Sequence, residues 1–185
     1  LIFHLLLLPS LSHHTLIIFF IFIFFIGTIR VWNYTTKTVM CTRSFKDAQV
    51  CSMKWCSITL NADLDKEGKH LLAGFSDGIV RILYIGKDND DNATLRNKMV
   101  LKPHSAEVVD VCFSDDSTYM ASTSKDGTVF LFKTHKLPLD KNESTWIPIR
   151  FFNIAPNNAS KNPPYCTSLQ WHASSTKLLC VCSDG

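Results

Sequence analysis

Apolar and polar residues alternate in three similar segments of the chain, each of which ends on an aromatic residue. In every copy, apolar residues stand five and two positions before the aromatic residue. The segments are Val50–Trp55, Val108–Phe113 and Cys166–Trp171. Alternation with a period of two places the aromatic residue and the apolar residue two before it on one face of a β-strand. The pattern therefore predicts the same strand three times.

A second strand is predicted shortly after each of these segments, and an Asp-Gly pair follows it. These second strands are His70–Ala73, Tyr119–Ser122 and Leu178–Val181. Asp-Gly favours a tight hairpin turn, because both central positions of that turn require a positive φ. The next strand begins after the glycine and is apolar on both faces where it can be followed, which indicates a strand covered by two other layers.

The glycines at these turns recur along the chain, and Gly27, Gly78, Gly127 and Gly185 are separated by 51, 49 and 58 residues. Such self-similarity marks a repeat architecture, in which each unit needs neighbours to bury its apolar faces. Fourth strands are predicted at 37–43, 98–101 and 146–152, where Pro148 is typical of a sheet edge. Four antiparallel strands per unit, stacked face to face, form a blade of a β-propeller.

We therefore predict an all-β fold, a partial β-propeller of about three blades preceded by an atypical apolar segment. The expected domain covers residues 27–185. It is divided into a blade remnant at 27–43, blades at 44–98 and 99–145, and half a blade at 146–185. Propellers close with roughly 4–8 blades, so the chain is interpreted as a fragment of a larger propeller.

Residues 1–26 differ from the rest of the chain, because nearly all are Leu, Ile, Phe, His, Ser or Thr. A spanning helix needs about 20 apolar residues, and residues 13–15 interrupt the run. The codons of Phe, Leu and Ile share a central U, and those of Ser, Pro and Thr a central C. An intronic pyrimidine tract translated by mistake would give this composition. The sequence favours a gene-model artefact over a membrane segment, and a buried pair of strands is the third interpretation.

Residues 102–132, KPHSAEVVDVCFSDDSTYMASTSKDGTVFLF, resemble a WD repeat along their whole length. Pro103-His104 stands where such repeats place Gly-His. The resemblance implies a buried polar network of His, Ser, Asp and Trp that ties the strands together. Matching residues are present in three blades, although no blade has the full set, and Phe132 replaces Trp. The matching residues are His104, Ser122, Asp126, Asp77 and Trp32.

The runs LLAGFSDGIVRIL, LKPHSAEVVDVCFSDDSTYMASTSKDGTVFLF and IPIRFFNIAP resemble one region of the large cilia- and flagella-associated WD-repeat proteins. The resemblance covers roughly residues 27–185. It implies a scaffold in the cytoskeleton of the cytoplasm and in the axoneme of the cilium or flagellum. It further implies a paralogous WD-repeat partner, dynein-arm components nearby, and a tethering role in ciliary beating.

Charge and cysteine usage restrict the possible partners. The net charge of +3 includes no long basic run, so nucleic-acid binding is not expected. The seven cysteines form no CxxC pair, which favours free thiols in a reducing compartment. Cys180 and Cys182 lie on one strand face and give a weak metal signal, but structural packing is the favoured interpretation. We expect no metal and no cofactor, and a membrane partner only if residues 1–26 belong to the protein.

Loop lengths indicate where a partner could dock, since insertions in repeats map to one face. The aromatic residue and the following glycine are 23 residues apart in the second blade, but 14 apart in the third and the last. The extra length lies at 57–69, and the loops at 86–97 and 135–144 emerge on the same side. Six acidic residues make this rim a candidate docking edge, with solvated loops as the alternative. They are Asp63, Asp65, Glu67, Asp88, Asp90 and Asp91.

Catalytic signatures are absent from the sequence: there is no phosphate-binding Gly loop, no His-Glu-x-x-His and no Gly-x-Ser-x-Gly. Only Ser52, Asp110 and Ser168 could supply polar groups on the first strands. The sequence therefore favours a non-catalytic scaffold for protein–protein interaction. The alternatives are a general cytoplasmic adaptor, such as a trafficking or ubiquitin-ligase substrate receptor, and a propeller enzyme.

Overall fold

The computed structural model describes residues 3–5, 19–24, 27–33, 36–56, 69–136, 144–154 and 164–184. Within these ranges the chain forms fourteen β-strands, joined by turns and bends. None of the described residues belongs to a helix with the length and apolar character needed to cross a bilayer.

The strands form four antiparallel sheets, and in each sheet the order follows the chain. The first sheet contains β1 (Phe3–Leu5), β2 (Phe19–Phe24), β3 (Thr28–Asn33) and β4 (Thr38–Ser44). The second contains β5 (Val50–Trp55), β6 (Lys69–Phe75), β7 (Val80–Lys87) and β8 (Ala93–Leu101). The third contains β9 (Val108–Phe113), β10 (Tyr119–Ser124), β11 (Thr128–Lys136) and β12 (Ser144–Asn153). The fourth contains β13 (Cys166–Trp171) and β14 (Leu178–Cys182).

The turns between the second and third strands require glycine. Gly27, Gly78 and Gly127 have φ angles of 61°, 79° and 81°, in the left-handed region that other residues rarely adopt. Space is a second requirement, because a Cβ atom at Gly78 would lie 2.4 Å from the carbonyl oxygen of His104. The turn of one sheet thus packs directly against the loop that leads into the next sheet.

Apolar residues fill the space between consecutive sheets. Leu83 and Ile85 of β7 pack into a cluster shared with the first sheet, while Val80 and Ile82 pack into a cluster shared with the third. A third cluster, which includes Val129, joins the third sheet to the fourth. A strand buried on both faces is therefore sandwiched between neighbouring sheets, as its apolar sequence predicts. The predicted all-β fold, a partial propeller with stacked blades, is confirmed.

The sheets divide the chain at points that differ from the expected blade borders. The expected border at residue 98 falls inside β8, and the one at residue 145 falls inside β12. β12 follows β11 as its antiparallel neighbour, with Leu131 opposite Arg150, so it belongs to the third sheet. The fourth sheet consequently begins at β13, and not at residue 146.

The apolar segment at residues 1–26 contributes two strands to the first sheet. β1 pairs with β2, and β2 pairs with β3 through the register Ile21 opposite Val31. This arrangement corresponds to the third sequence-based interpretation, a strand pair. The first sheet accordingly has four strands instead of the remnant expected at 27–43.

Candidate functional site

A buried polar network surrounds His104, which lies in the loop between β8 and β9. The residue is 3% exposed. Its Nε2 atom lies 2.8 Å from Oγ of Ser122 in β10. Its Nδ1 atom lies 2.9 Å from Oγ1 of Thr128 and 3.4 Å from Oδ2 of Asp126. The imidazole thus connects the loop to the second and third strands of the same sheet.

The carboxylate of Asp126 organises the other end of this network. Its Oδ1 accepts hydrogen bonds from the backbone N–H and the hydroxyl of Thr128, and its Oδ2 accepts one from the backbone N–H of Ser105 at 2.9 Å. Since the Thr128 hydroxyl donates to Asp126, its oxygen is left to accept from Nδ1–H of His104. The Ser122 hydroxyl then donates to Nε2. The network is satisfied by a neutral imidazole with its proton on Nδ1.

The electrostatics agree with this assignment. Burial lowers the pKa of His104 below its ordinary value of 6.5 and outweighs the nearby Asp126 carboxylate, which raises it. For Asp126, burial raises the pKa, but the hydrogen bonds from Thr128 and Ser105 bring the pKa below 3.8. The site therefore holds a neutral imidazole beside a carboxylate, and its bonds run between loop and strands of one blade.

Two members of the network were missed by sequence reasoning, and two of the matching residues belong to the equivalent positions of the two preceding blades. Thr128 and Ser105 were missed. Thr128 could have been predicted, because a Thr follows both Gly27 and Gly127 in the sequence. Asp77 caps its own turn, with Oδ1 3.1 Å from the backbone N of Ile79. Trp32 is half-buried in β3 of the first sheet.

Aromatic packing around the imidazole also differs from the expectation. Phe132 occupies the position of the expected Trp and lies in the apolar cluster between the second and third sheets, 2% exposed. The ring that meets His104 is Phe130, edge-on, with centroids 5.1 Å apart. The departure from Trp is thus accommodated by apolar packing on that face of β11.

Three of the six acidic residues of the candidate docking edge lie among the residues that the structure describes. Asp88 is turned toward its own backbone, because Oδ1 accepts from N of Asp90 at 3.0 Å and from N of Asn92 at 2.8 Å. Asp91 has a φ of 64° and lies 2.8 Å from Nζ of Lys87 in an exposed ion pair. Asp90 is exposed. Asp88 therefore shapes the turn, and Asp90 and Asp91 present charge to solvent.

The remaining acidic residues of the rim, Asp63, Asp65 and Glu67, lie outside the described residues. Their loop joins β5 to β6, and the turn at residues 88–92 joins β7 to β8. In an antiparallel meander, alternate connections emerge at the same edge of the sheet. In the second sheet, the topology thus places the end of β5 and the start of β6 at the same end of the sheet as the turn between β7 and β8.

The three polar residues of the first strands lie together. Oγ of Ser52 donates to Oδ1 of Asp110 at 2.8 Å. Oδ2 of Asp110 accepts from the backbone N–H of Leu169 at 2.8 Å, and Oγ of Ser168 is 3.4 Å away. These residues belong to β5, β9 and β13, so the hydrogen bonds cross two borders between sheets.

The cysteines in the described ranges are free thiols. Cys112, Cys166 and Cys180 lie in or against the apolar cluster between the third and fourth sheets. Burial, followed by the nearby Cys166, raises the pKa of Cys180 to about 12, so its thiol stays protonated near neutral pH. Among the described residues, no group of three His, Cys, Asp or Glu side chains is arranged to hold a metal ion.

Stacked antiparallel sheets, with a His–Ser–Asp network between loop and strands in the third sheet, are the features that the resemblance to a WD repeat implies. Consistent with this, residues 95–133 match the family model "WD domain, G-beta repeat". The match begins in β8 and ends in β11, so the repeat in the sequence is offset from the sheet by one strand.

The chain is similar to two curated relatives. It is 29% identical over 171 residues, 85% of this chain, to Cilia- and flagella-associated protein 44 of Mus musculus. It is 33% identical over 108 residues, 57% of this chain, to Cilia- and flagella-associated protein 251 of Pongo abelii. In both cases the aligned part is 8% of the relative's length, so the chain corresponds to a small part of either protein.

Proposed function

We propose that this chain is part of a non-catalytic WD-repeat scaffold that binds other proteins in the cilium or flagellum. The observation that carries the proposal is the similarity to a cilia- and flagella-associated protein along 85% of the chain. The stacked sheets support it as well, because a propeller presents loops at its rims on a rigid frame, and protein partners bind such loops.

The finer proposal is a scaffold of the axoneme, within the cytoskeleton of the cytoplasm and cilium. There it would tether a dynein arm during ciliary beating, next to a paralogous WD-repeat partner. The names of the two relatives support the ciliary location. The dynein arm and the paralogous partner are inferred from the family resemblance of the three sequence runs.

The polar groups of the first strands favour a scaffold over a propeller enzyme. A catalytic carboxylate needs acceptor positions that a substrate or water can reach. Both oxygens of Asp110 already accept hydrogen bonds from the protein, among them those from Ser52 and from the backbone of Leu169. The residue that could most readily act as a general base is thus occupied in holding strands.

Protein docking is proposed at the rim that carries the β5–β6 and β7–β8 connections. Asp90 and Asp91 supply exposed negative charge there, and Asp63, Asp65 and Glu67 add to it in sequence. Such a surface complements a basic segment of a partner and speeds its association. Asp88 is assigned a structural role in the turn, as are His104, Ser122 and Asp126 in the third sheet.

The location is tested by imaging the tagged full-length protein in ciliated cells before and after detergent extraction. A scaffold of the axoneme is expected along the cilium and remains there after the membrane and the soluble proteins are removed. The tag alone serves as the control and is expected to be extracted. A signal that is diffuse in the cell body and absent from cilia would contradict the proposal and favour the cytoplasmic adaptor.

A further inference from the structure

Three consecutive sheets place a polar residue at the same position of their first strand. Ser52 in β5, Asp110 in β9 and Ser168 in β13 each stand one residue before the apolar residue that enters the core. The middle residue is the only carboxylate of the three. It is long enough to reach both neighbours, which a serine in that position is not.

The carboxylate of Asp110 accepts four hydrogen bonds from three sheets. Oδ1 accepts from Oγ of Ser52 at 2.8 Å and from the backbone N of Val111 at 2.9 Å. Oδ2 accepts from the backbone N of Leu169 at 2.8 Å and from Oγ of Ser168 at 3.4 Å. Each oxygen therefore faces one backbone N–H and one hydroxyl, which uses the acceptor capacity of a carboxylate almost fully.

These bonds differ in kind from most of the contact between sheets. Sheet faces meet mainly through apolar side chains, whose attraction depends on buried area and little on direction. A charge-assisted hydrogen bond is short and directional. One residue that binds both neighbours can thus fix how far each sheet is shifted and rotated against the next.

We propose that Asp110 is an interblade clasp, which sets the relative placement of the second, third and fourth sheets through its links to Ser52 and Leu169. The serines on either side fit this role. A carboxylate in place of Ser52 or Ser168 would stand within hydrogen-bond distance of Asp110, where two like charges repel. Asp flanked by Ser therefore gives both links without that repulsion.

The test replaces Asp110 by the residue that its neighbours carry. Asp110→Ser keeps a polar side chain that the equivalent positions tolerate, but it is too short to reach both sheets. Hydrogen–deuterium exchange of the full chain is followed at the amide of Leu169 and in the peptides of β5 and β13. We expect the Leu169 amide to exchange about tenfold faster or more, as for the loss of a hydrogen bond to a charged group.

Two further variants make the comparison specific. Asp90→Ser, at an exposed carboxylate, is the matched control and is expected to leave exchange in both peptides unchanged. Asp110→Asn is expected to retain part of the protection, because an amide can still accept from Leu169 and donate to Ser52. Exchange of Leu169 within about twofold of wild type in Asp110→Ser would overturn the proposal, since a lost hydrogen bond costs more than that.

A double-mutant cycle tests the clasp without relying on Asp110→Ser alone. Ser52→Ala leaves the bonds from Val111 and Leu169 in place, so this variant retains most of the network. Its effect on the melting temperature is measured in the wild-type background and in Asp110→Ala, which has no polar group to reach Ser52. We expect the effect to be smaller when the carboxylate is absent, because the two residues act as a pair. Equal effects in both backgrounds would show that Ser52 and Asp110 are independent and would overturn the clasp.

Discussion

Nε2 of His104 lies 2.8 Å from Oγ of Ser122, and both residues are almost fully buried. The bond attaches the loop before β9 to the second strand of its own sheet. The carbonyl oxygen of His104 meanwhile lies against the turn at Gly78 of the preceding sheet, where a Cβ atom would approach to 2.4 Å. The loop is thus hydrogen-bonded to its own sheet and packed against the preceding one. The bond between His104 and Ser122 is therefore important for the contact between the two blades.

Replacing Ser122 by alanine is expected to destabilise the fold by about 1–3 kcal/mol, because Nε2 of the buried His104 loses its donor. Ser44→Ala, which removes an exposed strand hydroxyl, is the matched control and is expected to cost less than about 0.5 kcal/mol. The free energy of unfolding is measured by urea denaturation. Equal stabilities of the two variants would mean that the bond contributes nothing to the fold.

The stability of the fold is expected to fall as the pH is lowered from about 7.5 to 5. Burial keeps the pKa of His104 in the folded chain below 6.5, so the unfolded chain takes up the proton first. The contribution is therefore present above pH 6.5 and is lost as the pH falls toward the folded-state pKa. Asp126, whose pKa lies below 3.8, titrates outside this window.

The difference between two histidine variants isolates this effect from the other titrations. His104→Gln is expected to lower stability at pH 7.5, but to show a shallower loss between pH 7.5 and 5 than the wild type. His172→Gln makes the same substitution at an exposed histidine and serves as the control for the substitution itself. Thermal denaturation across the pH range measures both. If the stability of His104→Gln fell with pH as steeply as that of the wild type, the pKa of His104 would be the same in the folded and the unfolded chain.

The strands could be predicted from the sequence, whereas their division into sheets could not. Alternation of apolar residues is a local property, and it located β5, β9 and β13. The border at residue 145 depended on which strand β12 pairs with, and pairing is a tertiary property. The family match at residues 95–133 shows the same offset, because the repeat in the sequence begins with the last strand of the preceding sheet.

The residues of the candidate sites were likewise predicted only where a local pattern fixes them. The sequence named His104, Ser122 and Asp126 because a repeat motif fixes their spacing. The structure places Ser122 and Asp126 beside the imidazole of His104. The sequence assigned Asp88 to a docking rim from loop length and charge, whereas its carboxylate accepts from the backbone of its own turn. It named Asp110 as one of three residues that could supply a polar group on the first strands. Its bonds to neighbouring sheets depend on how the sheets stack, which no local pattern encodes.

Two residues with the same backbone conformation allow the cost of backbone strain to be separated from the contribution of side-chain packing. Lys37 and Ser117 have φ angles of 56° and 54°, in the left-handed region. Lys37 is exposed, whereas Ser117 is 1% exposed and its Oγ lies 3.0 Å from Sγ of Cys56, the residue that follows β5 of the neighbouring sheet. Non-glycine residues in this region cost roughly 1–2 kcal/mol. The serine stands in a turn closed by its own backbone N–H on the carbonyl oxygen of Ser114, and its hydroxyl also contacts Cys56.

Lys37→Gly is expected to stabilise the fold by about 0.5–1 kcal/mol, since the relief of strain exceeds the added entropy of the unfolded chain. Ser117→Gly is expected to be less favourable by about 1 kcal/mol or more, because it also removes a buried hydroxyl that accepts a hydrogen bond from Sγ of Cys56. Urea denaturation of the two variants measures the difference. An equal gain in both would argue against a contribution of Ser117 to the contact between sheets.

The proposed docking rim is tested by two variants with the same change in charge. Asp90→Lys combined with Asp91→Asn alters the end of the second sheet where β7 turns into β8, and it leaves Asp88 to cap that turn. Asp47→Lys combined with Glu107→Gln alters the opposite end of the strands. Each variant raises the net charge by three and removes one exposed ion pair, to Lys87 in the first case and to Lys125 in the second. Because exposed ion pairs contribute little to stability, both variants are expected to fold like the wild type.

Binding of the full-length variants is measured by co-sedimentation with axonemes from cells that lack the protein. The variant at Asp90 and Asp91 is expected to bind about fivefold more weakly, since it loses attraction for a basic partner, while the variant at Asp47 and Glu107 binds like the wild type. The difference is expected to shrink at high ionic strength, where exposed charges are screened. If both variants bind equally at low ionic strength, the acidic edge is a solvated loop and the partner docks elsewhere on the propeller.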